Sequence, residues 1–415
     1  MSTQLHRATA DAIGAAVAAE RAAIIARLIR LTGDWTLAED CVQDAVERAL
    51  LQWPREGIPR SPAAWLMTVA RHRALDVLRR RQNERTKLQQ VAIMQEPDAA
   101  LHPHDPMSDD RLRLIFTCCH PAIRLDNRVA LTLKTVAGLS TAEIARALLV
   151  SESTLSQRLL RTKQKIANAA IPYRVPPDEL LTERTGGVLA VLYLIFNEGY
   201  RQQDDHLAVE AQRLSSLLVE LMPDEDEARS LLALITFQLA RRATRFDPAG
   251  DLVPIEEQNR RLWNEALIED GRQHLRRATA SQRPPGPYRL QAQIAACHAT
   301  ATDAQTTPWG TIVTLYDALL AAQPSPVIML NRAIAIGFRD GYHAGLAELE
   351  ALAPIPSLAG YYLLPTARAD FLRRLGRDEE AQQAYETAAR LAPTDGPEQR
   401  LLRRRLTELT RPRKA

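Results

Sequence analysis

Apolar residues along this chain recur mostly at three- and four-residue intervals, the period of one helix face, and no stretch alternates like a strand. The pattern predicts an all-α protein. Its clearest passage is GLSTAEIARALLVSESTLSQRLLRTKQK, Gly138 to Lys165. Ser140 followed three residues later by Glu143 reads as a capping box, which starts a helix at Thr141. Ile144, Ala145, Leu148 and Val150 give that helix an apolar stripe, and Ala145 is small enough for a crossing helix to rest on. Ser151 can cap a second helix, on which Leu155 and Leu159 lie four apart on the inner face. Two short helices with a turn of three or four residues make a helix-turn-helix, which sets its second helix in a DNA major groove. Outward then point Ser151, Glu152, Ser153, Ser156, Gln157, Arg158 and Arg161, with Lys163 among the basic residues that follow. Hydroxyls, amides and guanidiniums read base edges and hold phosphates. An ordinary αα-hairpin with a solvated side shows the same pattern. Leu149 stands where many such turns carry Gly.

A second helical pair lies upstream. TGDWTLAEDCVQDAVERALLQWP reads as an amphipathic helix whose polar positions include Asp34, Glu39, Asp40, Gln43, Asp44 and Glu47. Ser61 then caps a helix that opens at Pro62 and runs through AAWLMTVARHRALDVLRRRQNER. Ala64, Trp65, Thr68, Val69, His72, Leu75, Asp76 and Leu78 recur on or beside one side of it, while Arg71, Arg73, Arg79, Arg80 and Arg81 supply charge. An acidic helix and a basic one side by side cannot both face DNA. One should face a protein.

Three proline-bearing breaks divide the chain: Gln95 to Asp110, Ala169 to Leu180 and, more weakly, Ser281 to Arg289. They predict helical domains at 1–83 and 111–170, a flexible linker at 84–110, a proline-rich linker at 171–180 and a helical extension from 181 to 415. Near the end, Ala369, Ala381, Tyr385, Ala388 and Pro393 take the small, small, aromatic, small and proline positions of a tetratricopeptide (TPR) unit. Ala333 and Gly345 mark a fainter unit before it. The net charge of +3 hides an excess of +6 in residues 1–170 and −3 in the remainder. That places polyanion contact in the first part. At 415 residues two or three domains are expected, and no apolar run is long enough to span a membrane. Four cysteines and no signal-peptide layout suit a reducing cytoplasm.

Other chemistry gains little support. His102, His104, Cys118, Cys119 and His120 are zinc-ligand types, but adjacent cysteines diverge on a helix and no paired-cysteine spacing exists. FNEGY, Phe196 to Tyr200, reads as an apolar helix ending at Gly199. No nucleophile–base pair, carboxylate dyad or phosphate loop is legible, so neither enzyme nor cofactor is expected.

AEDCVQDAVERAL, AAWLMTVARHRALDVLRRR and RVALTLKTVAGLSTAEIARALLVSESTLSQRLLRTKQKI, in that order, resemble regions two and four of sigma-70 transcription initiation factors. The bare linker resembles the extracytoplasmic-function (ECF) group. LRLIFTCCHPAI, GGVLAVLYLIFNEGY and the TPR-like tail are similar to its subgroup with a long C-terminal extension. The resemblance implies that Asp34, Glu39, Asp40, Gln43 and Asp44 dock on the β′ clamp helices of core RNA polymerase. It implies that Trp53 to Arg81 captures and melts the −10 element, and that the helix from Ser151 to Lys165 reads the −35 element. The β flap would be a further polymerase contact, and the tail would control the factor in cis or bind a protein partner. Trp65 is a candidate stacking platform or a core residue. Two other readings compete: a TPR adaptor needing no DNA, and a helix-turn-helix repressor needing no polymerase.

Overall fold

The computed structural model describes residues 2–89, 110–202, 205–281, 283–394 and 396–410. Among them there are helices and turns and no strand, only one isolated bridge between Phe246 and Leu252. None of the described helices is long and apolar enough to cross a membrane. The chain divides into two compact units, Met1–Leu214 and Ser215–Ala415.

In the first unit, α1 (Ser2–Thr32), α2 (Trp35–Glu56) and α3 (Pro62–Gln89) pack as a three-helix bundle. Asp34 caps α2, its carboxylate accepting from the Leu37 amide at 3.0 Å. Ala38, Ala45, Ala49, Ala70 and Ala74 are fully buried, and such small side chains bring the helix axes close around Ile25, Leu28 and Trp53. The apolar stripe expected on α3 is displaced. Leu66, Ala70 and Ala74 face the core, whereas Ala64, Thr68, His72 and Asp76 are exposed. Small residues mark the close crossing, and the larger ones beside them are left at its rim. Most of the linker, with His102 and His104, lies outside the described residues.

The second bundle comprises α4 (Asp110–Cys118), α5 (Leu125–Thr132), α6 (Thr141–Ala147) and α7 (Glu152–Asn168). Between α5 and α6 the chain widens into a π-helical turn, Leu133–Ala137, which ends at Gly138 with φ of 81°. α8 (Asp178–Gln202) packs on α4, α5 and α6, and Arg184 Nη2 donates to the Phe116 carbonyl at 2.8 Å. Residues 171–177 and α8 therefore belong to the first compact unit. The helix end expected at Gly199 is not found. α8 runs on to Gln202 because Phe196 and Tyr200, one turn apart, stack with ring centroids 5.1 Å apart. Cys118 and Cys119 are buried, and burial pushes the Cys119 thiol up to about 11, so both are packing residues.

After α9 (Asp205–Leu221), which crosses the unit boundary, the second unit is a succession of helices, each packed on its chain neighbours. They are α10 (Asp226–Ala240), α11 (Glu265–Thr279), α12 (Pro287–Thr300), α13 (Trp309–Ala322), α14 (Pro326–Asp340), α15 (Tyr342–Leu352), α16 (Leu363–Arg374), α17 (Asp378–Leu391) and α18 (Pro397–Thr410). The TPR positions Ala369, Ala381, Tyr385 and Ala388 form one buried cluster between α16 and α17. The fainter unit is also a hairpin, α14 with α15. A Cβ on Gly345 would sit 2.5 Å from the Gly337 Cα, so glycine is required for that approach. Residues 241–264 reach across to α18, where Asp251 pairs with Arg400, Asp247 with Arg404 and Glu257 with Arg405. That segment braces the start of the array to its end.

Candidate nucleic-acid interface

The helix-turn-helix forms as its local signals require. The Ser140 amide donates to Glu143 Oε2 at 2.7 Å and the Glu143 amide to Ser140 Oγ at 3.2 Å, which completes the capping box. The Thr154 amide donates to Ser151 Oγ at 3.2 Å, starting α7. Leu149 adopts φ of 52°, the left-handed conformation usually left to glycine, and its side chain is 74% exposed. Leu155, Leu159, Thr162 and Ile166 turn inward. Ser151, Glu152, Ser153, Ser156, Gln157 and Arg161 are exposed, with Arg158 half-buried beside them. These are the groups that could meet base edges and phosphates.

The acidic helix is divided by what its side chains hold. Asp40, Gln43 and Glu47 are exposed along one face of α2. Asp34, Glu39 and Asp44 are instead tied up by cations on other helices. Asp44 pairs with Arg73 at 2.6 Å and Asp34 with Arg81 at 3.1 Å, both fastening α3 to the start and middle of α2. Glu39 Oε2 lies 2.7 Å from Lys163 Nζ on α7. Arg73, Arg81 and Lys163, expected on the DNA side, thus hold carboxylates expected on the polymerase side. Arg71, Arg79 and Arg80 remain exposed on α3. Trp65 is half-buried and meets the buried Trp53 edge-on, with ring centroids 5.4 Å apart. It acts as a lid on the bundle core.

The two bundles of the first unit also meet directly. Arg21 of α1 donates through Nη1 to the Lys134 carbonyl at 3.0 Å, and the Thr135 carbonyl lies at 3.4 Å, so it satisfies the π-turn's carbonyls. Burial lowers the pKa of both Arg21 and Lys134, with Glu39 opposing the shift in each case. Arg30 pairs with Asp110 at 3.4 Å. Tyr173 has its hydroxyl 3.1 Å from the Ala26 carbonyl and 3.2 Å from the Asp110 carbonyl, with its ring edge-on to Trp35. Burial raises the Tyr173 pKa. Sequence reasoning missed Arg21 and Tyr173. The only cue was an aromatic residue among the prolines of IPYRVPP, since a connector that docks needs something to bury.

Comparison with known proteins agrees with this layout. The family model described as Sigma-70 region 2 matches residues 16–84, and Sigma-70, region 4 matches residues 113–166. A family of unknown function (DUF6596) matches residues 184–279. An uncharacterized protein of Rhizobium meliloti (strain 1021) is 40% identical over 408 residues, 96% of each chain. The probable ECF RNA polymerase sigma factor SigI of Mycobacterium tuberculosis (strain ATCC 25618 / H37Rv) is 30% identical over 173 residues, which are 41% of this chain and 59% of that one. The ECF RNA polymerase sigma factor SigL of the same strain is 32% identical over 146 residues, 34% of this chain and 78% of SigL. SigL is matched over most of its length, and regions two and four fall in order on the two N-terminal bundles, so the chain belongs to the ECF sigma factors of the sigma-70 superfamily, here with a long C-terminal helical extension.

Proposed function

We propose that this sigma factor docks on the β′ clamp helices of core RNA polymerase through the exposed face of α2, with Asp40, Gln43 and Glu47 as its contacts. Arg71, Arg79 and Arg80 of α3 hold the backbone of the −10 strand while it is opened, and α7 reads the −35 element through Ser153, Ser156, Gln157, Arg158 and Arg161. The bundle carrying α7 leans on the β flap. Asp34, Asp44, Arg73 and Arg81 serve the assembly of the first bundle, because each is engaged in an α2–α3 ion pair.

The observation that carries this reading is the separation of two exposed rows. One is acidic and amide-bearing on α2; the other bears hydroxyl, amide and guanidinium groups on α7. A repressor or an adaptor has no use for the first row beside the second. The extension regulates these surfaces in cis, a role supported by its first helix packing on α4, α5 and α6. Run-off transcription with purified core polymerase tests the whole. The chain should direct initiation from a bipartite promoter, and failure to bind core polymerase would remove the sigma assignment of α2 and α7.

A further inference from the structure

Residues 245–257 leave the end of α10 and bring three carboxylates to arginines of α18, the last helix of the array. Arg400 Nε donates to Asp251 Oδ1 at 2.7 Å, and its Nη2 to the Gly250 carbonyl at 2.8 Å. Arg404 Nη1 donates to Asp247 Oδ2 at 3.1 Å, and Arg405 holds Glu257. We propose that Arg400, Arg404 and Arg405 make up a docking site for an acidic segment of a partner protein, and that residues 245–257 occupy it as a built-in stand-in.

The segment is anchored at its feet and lightly held at its tip. At the feet, Thr244, Gln258 and Trp263 are buried. Trp263 Nε1 donates to Thr244 Oγ1 at 2.8 Å, and Gln258 Nε2 to the Val253 carbonyl at 2.9 Å. From Arg245 to Glu257, by contrast, no residue is buried, so ion pairs and the Gly250 hydrogen bond tie the tip to α18. Partly exposed pairs of this kind contribute little each. The tip also keeps its shape without α18. The Asp247 carboxylate accepts from the Ala249 and Asp251 amides at 3.0 and 2.9 Å, and Gly250 turns the chain with φ of 81°. Occupation carries a cost as well: Glu256 stands in the field of Asp370 on α16, and burial raises its pKa. The chemistry of the row selects the ligand. Arg400 takes a carboxylate and a main-chain carbonyl together, a combination that a peptide offers and a nucleic-acid backbone lacks. Glu408, paired with Arg404 and Arg405, adds a negative charge that disfavours phosphates.

The test uses the full chain in a Cys297→Ser background, with a dye on Ala249→Cys at the exposed tip. The probe is a synthetic peptide copying residues 244–258. A tethered segment competes at an effective concentration of about millimolar, so peptide at that level should lower the anisotropy of the tip dye. A second chain carries Asp247→Asn, Asp251→Asn and Glu257→Gln, which remove the tip's charges and keep its hydrogen-bond acceptors. It should bind the peptide about tenfold more tightly, the combined weight of three partly exposed ion pairs. Adding Arg400→Gln and Arg404→Gln to that chain should abolish the binding. A tip that stays in place in the first chain, with no peptide bound by the second, would overturn the site. So would binding that survives loss of the two arginines, or equal binding of a peptide with Asn and Gln in place of its Asp and Glu. Preference of the second chain for a single-stranded oligonucleotide over the peptide would overturn the ligand class. Should the second chain fail to fold, displacement of the tip in the first decides: release supports the site, and an unmoved tip makes the segment a fixed brace.

Discussion

Leu149 shows how far a single residue can depart from what its backbone prefers. A left-handed conformation costs a side chain with a Cβ about 1–2 kcal/mol, and glycine recovers that while losing roughly 0.4–1 kcal/mol through its freer unfolded chain. The Leu149 side chain is exposed, so little burial is forfeited. Leu149→Gly should therefore stabilise the α6–α7 turn by about 0.5–1 kcal/mol, read as slower amide hydrogen exchange in α7. Faster exchange would mean that the leucine contributes packing of its own. The caps around this turn were legible because a capping box lies within four residues of sequence. The Glu39–Lys163 pair joins positions 124 apart and the Tyr173–Ala26 bond positions 147 apart. No local pattern could reveal them, since each depends on how two bundles meet.

At the scale of helices, the same pairs decide which substitutions report on docking. Asp44 looks like a docking residue in the sequence, but it holds Arg73, so its reversal would weaken the α2–α3 bundle as well as any interface. Asp40 and Glu47 are exposed, where changes usually cost within about 0.5 kcal/mol of stability. Reversing both to Lys should abolish co-elution with core polymerase and leave the thermal transition in place. Co-elution at wild-type level would free α2 from that role. For α7, Arg158→Ala with Arg161→Ala should weaken promoter binding and lower the slope of log affinity against log salt by about one for each phosphate left without its arginine. An unchanged slope would take both residues off the backbone. Helical periodicity made α2, α6 and α7 legible, whereas the core face of α3 was misplaced. There Leu66, Ala70 and Ala74, four residues apart, face the core, and their two alanines are a weaker apolar signal than the Trp65, Val69, Leu75 and Leu78 beside them.

For the molecule as a whole, the sequence invites a cut in the wrong place. The prolines between Ala169 and Leu180 look like a free linker, yet Tyr173 is docked and α8 packs on α4, α5 and α6. A fragment ending at Ala170 would lose α8 and with it the buried side chains of Val188, Leu189, Leu192, Ile195 and Phe196. At roughly 1.5–3 kcal/mol for each large side chain, as an upper estimate, that loss rivals the entire stability of a typical domain, about 5–15 kcal/mol. Residues 1–170 should therefore melt without a sharp transition or aggregate, while residues 1–214 should melt cooperatively and elute as a compact species. If the shorter fragment is as stable as the longer one, α8 is dispensable to the second bundle. This difference fixes how cis control has to be measured. Altered transcription by residues 1–170 would report only a damaged reader domain, whereas the comparison of residues 1–214 with the full chain isolates the second unit, the end of α9 together with the array from α10 to α18. Should those two bind core polymerase and initiate at the same rate, the array does not govern the factor in cis. Its braced helices would then serve a protein partner.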